Sequence, residues 1–242
     1  MYSLLKSLAG QTTVILVTHD PRAENYADRV VAIRDGRISE QWLPGKVEES
    51  VIDPFGWMRV REALPGLPKR NPSNRDGGVE ILINGTNIGL SYGDKEIFSR
   101  VNVLASAGEI IALSSTSGSG KSSLLRILCG IQDPTEGEVI LQGELLRTLS
   151  RQNRAHLRSE RIGFLAQGGS SLGNISLRDY VPYMSPSLEN AFGKRASRSL
   201  SEFSGGERAR IELMKILSED KPILLLDEPT SQMDERRSLE AV

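Results

Sequence analysis

Apolar residues fall into short uninterrupted runs separated by segments of helical period. The first run, Thr13-Val14-Ile15-Leu16-Val17-Thr18, is β-branched and continuous, as expected of a strand buried on both faces of a parallel sheet. His19 and Asp20 stand at its C-terminal end. Pro21 then opens a short helical stretch to residue 27, because proline suits a first helical turn. Residues 29–33 read as another strand, with a turn at Asp35-Gly36. Downstream, strands are predicted over 80–83, 109–113, 139–141, 162–165 and 223–226, and helices over 122–129, 151–159, 177–183 and 205–218. Strands alternating with helices imply an α/β protein whose mostly parallel sheet is covered by helices on both faces.

Composition changes this picture in one region. Five of the eleven prolines (Pro44, Pro54, Pro65, Pro68, Pro72) and both tryptophans, Trp42 and Trp57, fall within 41–78. Proline density disfavours regular structure, so the stretch reads as a linker, either unstructured or with two turns of helix over 57–64. The rest is ordinary for a soluble globular chain: 38% hydrophobic, 25% charged, mean hydropathy −0.26. Thirty basic against 31 acidic side chains leave a net charge of −1, without the basic excess that nucleic-acid binding requires. Cys129 has no second cysteine to pair with, and with only His19 and His156 beside it no Cys/His zinc cluster can form. A reducing, cytoplasmic compartment fits this cysteine usage best. No apolar run approaches the roughly 20 residues that span a bilayer, and Lys6 breaks the N-terminus before a signal-like core develops. Membrane association would therefore come through a partner.

Two segments carry chemistry. Ser115-Thr116-Ser117-Gly118-Ser119-Gly120-Lys121-Ser122, followed by Ser123, joins the predicted strand over 109–113 to a helix. Small residues there let successive N–H groups converge on an anion at the helix N-terminus. Lys121 reaches β/γ-phosphates and the Ser122 hydroxyl can ligate Mg²⁺. Ser115 stands where the pattern places its first glycine, and would carry about 1 kcal/mol of strain if that position needs φ > 0. The bland alternative is a Ser/Gly-rich surface loop. The second segment is Ile223-Leu224-Leu225-Leu226-Asp227-Glu228, a buried strand ending in two carboxylates. Strand alternation would send their side chains to opposite sides, leaving Asp227 to orient Mg²⁺ through its water shell and Glu228 to polarise an attacking water.

Between these segments lies Phe203-Ser204-Gly205-Gly206-Glu207-Arg208, opening a helix. Taken alone it is a helix N-cap with glycines. In this order the chain resembles the nucleotide-binding domain of ATP-binding cassette (ABC) proteins, whose signature reads L-S-G-G-[QE], with Phe203 in place of the usual leucine. The resemblance implies a P-loop NTPase fold with an antiparallel β subdomain and a short helical subdomain. It further implies an ATPase that uses Mg²⁺, and a head-to-tail dimer in which Ser204, Gly205, Gly206 and Glu207 close over ATP on a second cassette. Tyr92 then matches the aromatic residue that stacks on adenine, or is simply a half-buried tyrosine. Gln167 matches the glutamine that touches metal and attacking water. Ser231-Gln232-Met233-Asp234 resembles the loop crossing the dimer interface, and His19 the switch histidine at the γ-phosphate. His156 reads as a solvated helix residue. The segments Gly163-Phe164-Leu165-Ala166-Gln167 and Thr18-His19-Asp20-Pro21 are most similar to lipoprotein-release and macrolide-export ATPases.

In the family the switch histidine follows the Asp-Glu strand, whereas His19 precedes everything else. The resemblance therefore implies a piece of a tandem polypeptide. Residues 1–40 would be the tail of an upstream cassette, 41–78 a linker, and 79–242 a cassette lacking its C-terminal end. In the family's sheet the histidine strand runs between the phosphate-loop strand and the Asp-Glu strand, so 79–242 alone would leave a central slot that Thr13 to Thr18 is suited to fill. The stretch 168–203 is short for a helical subdomain. The implied function is the ATP-hydrolysing subunit of a transporter, cytoplasmic and peripheral to the membrane, with a transmembrane partner. The alternatives are a non-hydrolysing ATP-binding regulatory module or inactive cassette, and a soluble cassette acting on ribosomes or DNA.

Overall fold

The computed structural model describes residues 8–34, 36–43, 80–115, 119–167, 175–181 and 193–229. Residues 44–79, which include most of the linker expected over 41–78, lie outside them. Among the described residues, ten strands form two sheets. The larger contains β1 (Thr13–Thr18), β2 (Arg29–Arg34), β3 (Arg37–Trp42), β6 (Ile110–Ser115), β9 (Ile162–Leu165) and β10 (Ile223–Asp227), in the order β3-β2-β6-β1-β10-β9. All its pairings are parallel except β2–β3. The smaller, antiparallel sheet contains β4 (Ile81–Tyr92), β5 (Lys95–Ser106), β7 (Glu136–Leu141) and β8 (Glu144–Leu145), in the order β5-β4-β7-β8.

β1 fills the central slot. Val14 pairs with Ile110 on one side and Leu224 on the other, and all six β1 positions are buried. Its alternating side chains feed two cores. Ile15 and Val17 pack toward α1 (Lys121–Leu128) and the antiparallel sheet, while Val14 and Leu16 pack toward α4 (Gly205–Ser218) through Ala209, Leu213, Ile216 and Leu217. This two-sided burial is why the run carries no polar alternation. Buried Thr13 is satisfied, its hydroxyl donating to the Ser106 carbonyl at 2.8 Å and accepting from the Gly108 amide at 2.9 Å. Asp28 accepts from the Ile110 amide at 2.8 Å, and Arg29 pairs with Glu109 at 2.9 Å.

Helix ends follow local chemistry. Ser150 caps α2 (Arg151–Arg161) by accepting from the Asn153 amide, and Ser176 caps the single turn α3 (Leu177–Tyr180) in the same way. Gly163 in β9 lets α4 approach the sheet, since a Cβ there would overlap Ile216 and Leu224. His156 is exposed on α2, facing Glu160 at 3.3 Å. No helix among the described residues is long and apolar enough to cross a membrane.

Several boundaries differ from expectation. Trp42 belongs to β3 rather than to the linker, because β2 turns at Gly36 (φ +70°) and pairs back on itself. The short helical stretch expected after Pro21 is a 3-10 helix, Pro21–Tyr26. The strand expected over 80–83 runs to Tyr92 and pairs with β5, which has no continuous apolar run to announce it.

Candidate functional site

β6, β1 and β10 lie side by side and parallel, so their C-terminal ends open at one edge of the sheet, and the chemistry-bearing residues gather there. Residues 116–118 (Thr116, Ser117, Gly118) lie outside the described residues, as does the segment 231–234. Ser115 is the last residue of β6 and pairs with Ile33. Its backbone is therefore extended, and the left-handed strain considered for serine at this position does not arise. Ser119 and Gly120 lead into α1, with Gly120 at φ +84°. A Cβ on Gly120 would come within 2.6 Å of Ile97 Cγ2 and 2.8 Å of Phe98 Cδ1. Gly120→Ala is thus expected to destabilise the fold by about 2–4 kcal/mol, combining left-handed strain with overpacking. Urea unfolding followed by circular dichroism checks this, and an unchanged midpoint would contradict it.

Lys121 is only 7% exposed. Burial pushes its ammonium pKa down, while Glu228 and Asp227 pull it back up. Asp227, 1% exposed, ends β10 and bonds to the Ser122 side chain. Burial raises its carboxyl pKa, opposed by the Ser122 hydrogen bond; the neighbouring Glu228 charge adds to the rise, and Arg126 and Lys121 counter it. Asp227 Oδ1 is buried and has no hydrogen-bond partner among the described residues. An acceptor left this way beside a serine hydroxyl suits the water shell of a hard cation. No group of three or more His, Cys, Asp or Glu able to hold a metal occurs among the described residues. Mg²⁺, which keeps several waters and takes phosphate oxygens, suits Ser122 and Asp227 where a protein-caged metal would not.

The expected alternation fails after Asp227. Glu228 adopts φ +49°, leaving the strand in a left-handed turn that costs a non-glycine residue about 1–2 kcal/mol. Its amide donates to the Val17 carbonyl at 2.9 Å, which ties the turn to β1. Its Oε2 then lies 2.8 Å from His19 Nδ1. The turn after β1 is fixed by the Asp20 amide donating to Thr18 Oγ1 and by Arg22 paired with Asp20 at 2.7 Å. Glu228 is nearly buried, whereas the His19 side chain is 71% exposed, so the pair opens to solvent on the histidine side.

The remaining candidates sit around this centre. Ser123 is half-buried on α1, and Gln167 is exposed just beyond β9, next to β10 in the sheet. Tyr92 ends β4 with 57% of its surface exposed, and its hydroxyl accepts from Gln132 Nε2 at 2.8 Å. Ser204 caps α4 in a reciprocal box. Its hydroxyl accepts from the Glu207 amide at 3.3 Å, and its own amide donates to Glu207 Oε2 at 3.0 Å. Gly205 and Gly206 form the first turn. Glu207 Oε1 is held by Arg195 at 2.6 Å, and the guanidinium lies 4.9 Å from the centre of the Phe203 ring. Burial raises the Glu207 pKa, but the Arg195 and Ser204 hydrogen bonds outweigh it and hold the carboxyl below its usual value. Arg195 and Gln132 carry no motif and were invisible in the sequence.

A family model described as ABC transporter matches residues 98–231, more than half of the chain. Among solved structures, the dimeric post-hydrolysis state of the ATP-binding cassette MJ0796 bound to ADP and Pi is 26% identical, with a TM-score of 0.53, covering 63% of this chain and 76% of that one. A bacterial Atm1-family ABC exporter with ATP bound has 25% identity and a TM-score of 0.55, over 66% of this chain and 31% of that one. The ATP-binding subunit of another ABC transporter, at 18% identity and a TM-score of 0.54 over 62% of this chain and 68% of that one, adds likeness of fold alone.

Proposed function

This chain belongs to the ABC transporter family, and from that premise we propose that it binds and hydrolyses ATP as the nucleotide-binding subunit of a transporter. The observation that carries the reading is the convergence of Lys121, Asp227 and Glu228 at one sheet edge, with His19 brought to Glu228 by a strand from the other end of the chain. Lys121 binds the β/γ-phosphates, where a buried cation is worth more than an exposed one. Ser122, Asp227 and Gln167 would hold Mg²⁺, which would supply neutralising charge to the phosphate oxygens. Glu228 takes the proton of the water that attacks the γ-phosphorus as the bond to the β–γ bridging oxygen breaks. His19 holds the Glu228 carboxylate in place. Tyr92 stacks on adenine, and the backbone of 115–120 with Ser123 cradles the phosphates.

Ser204 to Glu207 close over ATP on a second cassette, and a transmembrane subunit receives the work. The site would then face the cytoplasm at the inner surface of the membrane. The N-terminal segment through β3 forms the switch-histidine segment of a cassette, the stretch that follows β3 up to residue 78 the linker, and 79–242 the nucleotide-binding domain that the segment completes.

ATP titration of Lys121→Ala tests the phosphate site. Affinity is expected to fall more than tenfold, from the loss of about 1.5–3 kcal/mol of charged hydrogen bonding. Equal affinity in the variant and the wild type would overturn the assignment.

A further inference from the structure

The signature segment carries a negative charge at the place where it would meet a phosphate. Glu207 is the third residue of α4, and the first-turn amides of such a helix, which have no acceptor within the helix backbone, favour an anion. A carboxylate at that end stabilises the helix but opposes any second anion arriving there. Glu207 is not left alone, however. One oxygen is held by the Ser204 amide at 3.0 Å and the other by Arg195 Nη2 at 2.6 Å. Arg195 comes from a separate 3-10 turn, Gly193–Ser197. Its guanidinium lies over the Phe203 ring, which is 4% exposed and packed among Leu177, Leu200, Ile211 and Met214. A flat aromatic platform orients a guanidinium in a way that the family's usual leucine cannot. Phe203 and Arg195 thus form one unit.

We propose that Arg195, seated on Phe203, is a positioning residue for the signature: it neutralises and pins Glu207, whose other oxygen holds the Ser204 amide, so that Gly205 and Gly206 present their N–H groups to the terminal phosphate of ATP held on a second cassette. The inference rests on the ATPase reading. It adds to that reading a charge-compensating clamp outside the signature itself. Glu207 on this view acts through the helix cap, since both of its oxygens are already engaged.

Steady-state phosphate release against ATP concentration tests the clamp in the full chain. Arg195→Gln is expected to raise KM for ATP about tenfold with kcat within threefold, as fits a lost charge-assisted bond at a binding surface. Arg195→Lys, which keeps the charge but not the planar fork, is expected to recover most of the loss. Combining Arg195→Gln with Glu207→Gln is expected to return KM to the value of Glu207→Gln alone, because no uncompensated charge remains. A merely structural Arg195 would leave the double variant as impaired as Arg195→Gln, and that result overturns the proposal, as does an unchanged KM. If Arg195→Gln fails to fold, Arg195→Lys carries the test, with about a threefold rise in KM expected and no rise overturning the clamp. A wild-type chain without turnover overturns the ATPase reading and Arg195's role with it, whereas an active wild type with indifferent variants overturns the clamp alone.

Discussion

A chain lacking residues 1–43 is expected to lose cooperative unfolding altogether. β1 is one of the two central strands of the larger sheet, and Val14, Ile15, Leu16 and Val17 are each 1% exposed or less. Burying a large aliphatic side chain contributes about 1.5–3 kcal/mol, so these four together contribute about 6–12 kcal/mol, comparable to the whole stability of an ordinary domain. Removing them also strips hydrogen-bond partners from the facing edges of β6 and β10, leaving two unpaired ladders inside the protein. β2 and β3 would go as well, exposing Ile111 and Leu113. Urea titration followed by circular dichroism is the check. The deletion is expected to give a shallow, featureless curve or insoluble protein, and adding a peptide of residues 8–43 is expected to restore a transition. A fragment as soluble and as urea-resistant as the full chain would contradict the complementation of the sheet by its N-terminal strands.

Glu228→Gln is expected to reduce phosphate release by about 10²- to 10⁴-fold, the range for loss of a general base, with ATP binding retained. The substitution is nearly isosteric. Glutamine meets the same left-handed backbone at φ +49°, keeps the amide bond to Val17, and can still accept from His19 Nδ1. Folding should therefore change little, and the lost quantity is the proton acceptor. Phosphate release beside a thermal melt separates the two effects. Turnover equal to wild type would remove Glu228 from the chemistry, and a collapsed melt would make its role structural.

The cassette architecture was legible because its central strands are buried on both faces. β1, β6 and β10 each appear as continuous apolar runs, and each ends in the residues that form the site. The motif order even exposed the slot for β1, since a histidine strand placed first in the chain must still lie between its two neighbours. The antiparallel sheet was harder to see. β4 and β5 mix buried Ile88, Phe98 and Val103 with exposed Thr86, Asn87 and Asn102, and register shifts interrupt their alternation. Strand period alone does not reach Glu228, which leaves β10 in a left-handed turn tied to β1 by its bond to Val17, a contact made across most of the sequence. Arg195 and Gln132 were hidden for a related reason. Each acts through one long-range pairing, with Glu207 and with Tyr92, and neither pairing leaves a spacing that a reader of the chain could recognise.

The most direct test of the assembled site is phosphate release by the full chain with Mg²⁺, compared between wild type and His19→Ala, with ATP affinity measured in parallel. His19 belongs to the N-terminal segment and its side chain is 71% exposed, so removing it leaves the core untouched while taking away the contact to Glu228. The expected result is steady turnover in the wild type, and in His19→Ala a fall in kcat of about 10²-fold, as for a misplaced catalytic group, with ATP affinity unchanged within about threefold. Identical rates in the two proteins, or no phosphate released by either, would contradict an ATPase site completed by the strand that carries His19.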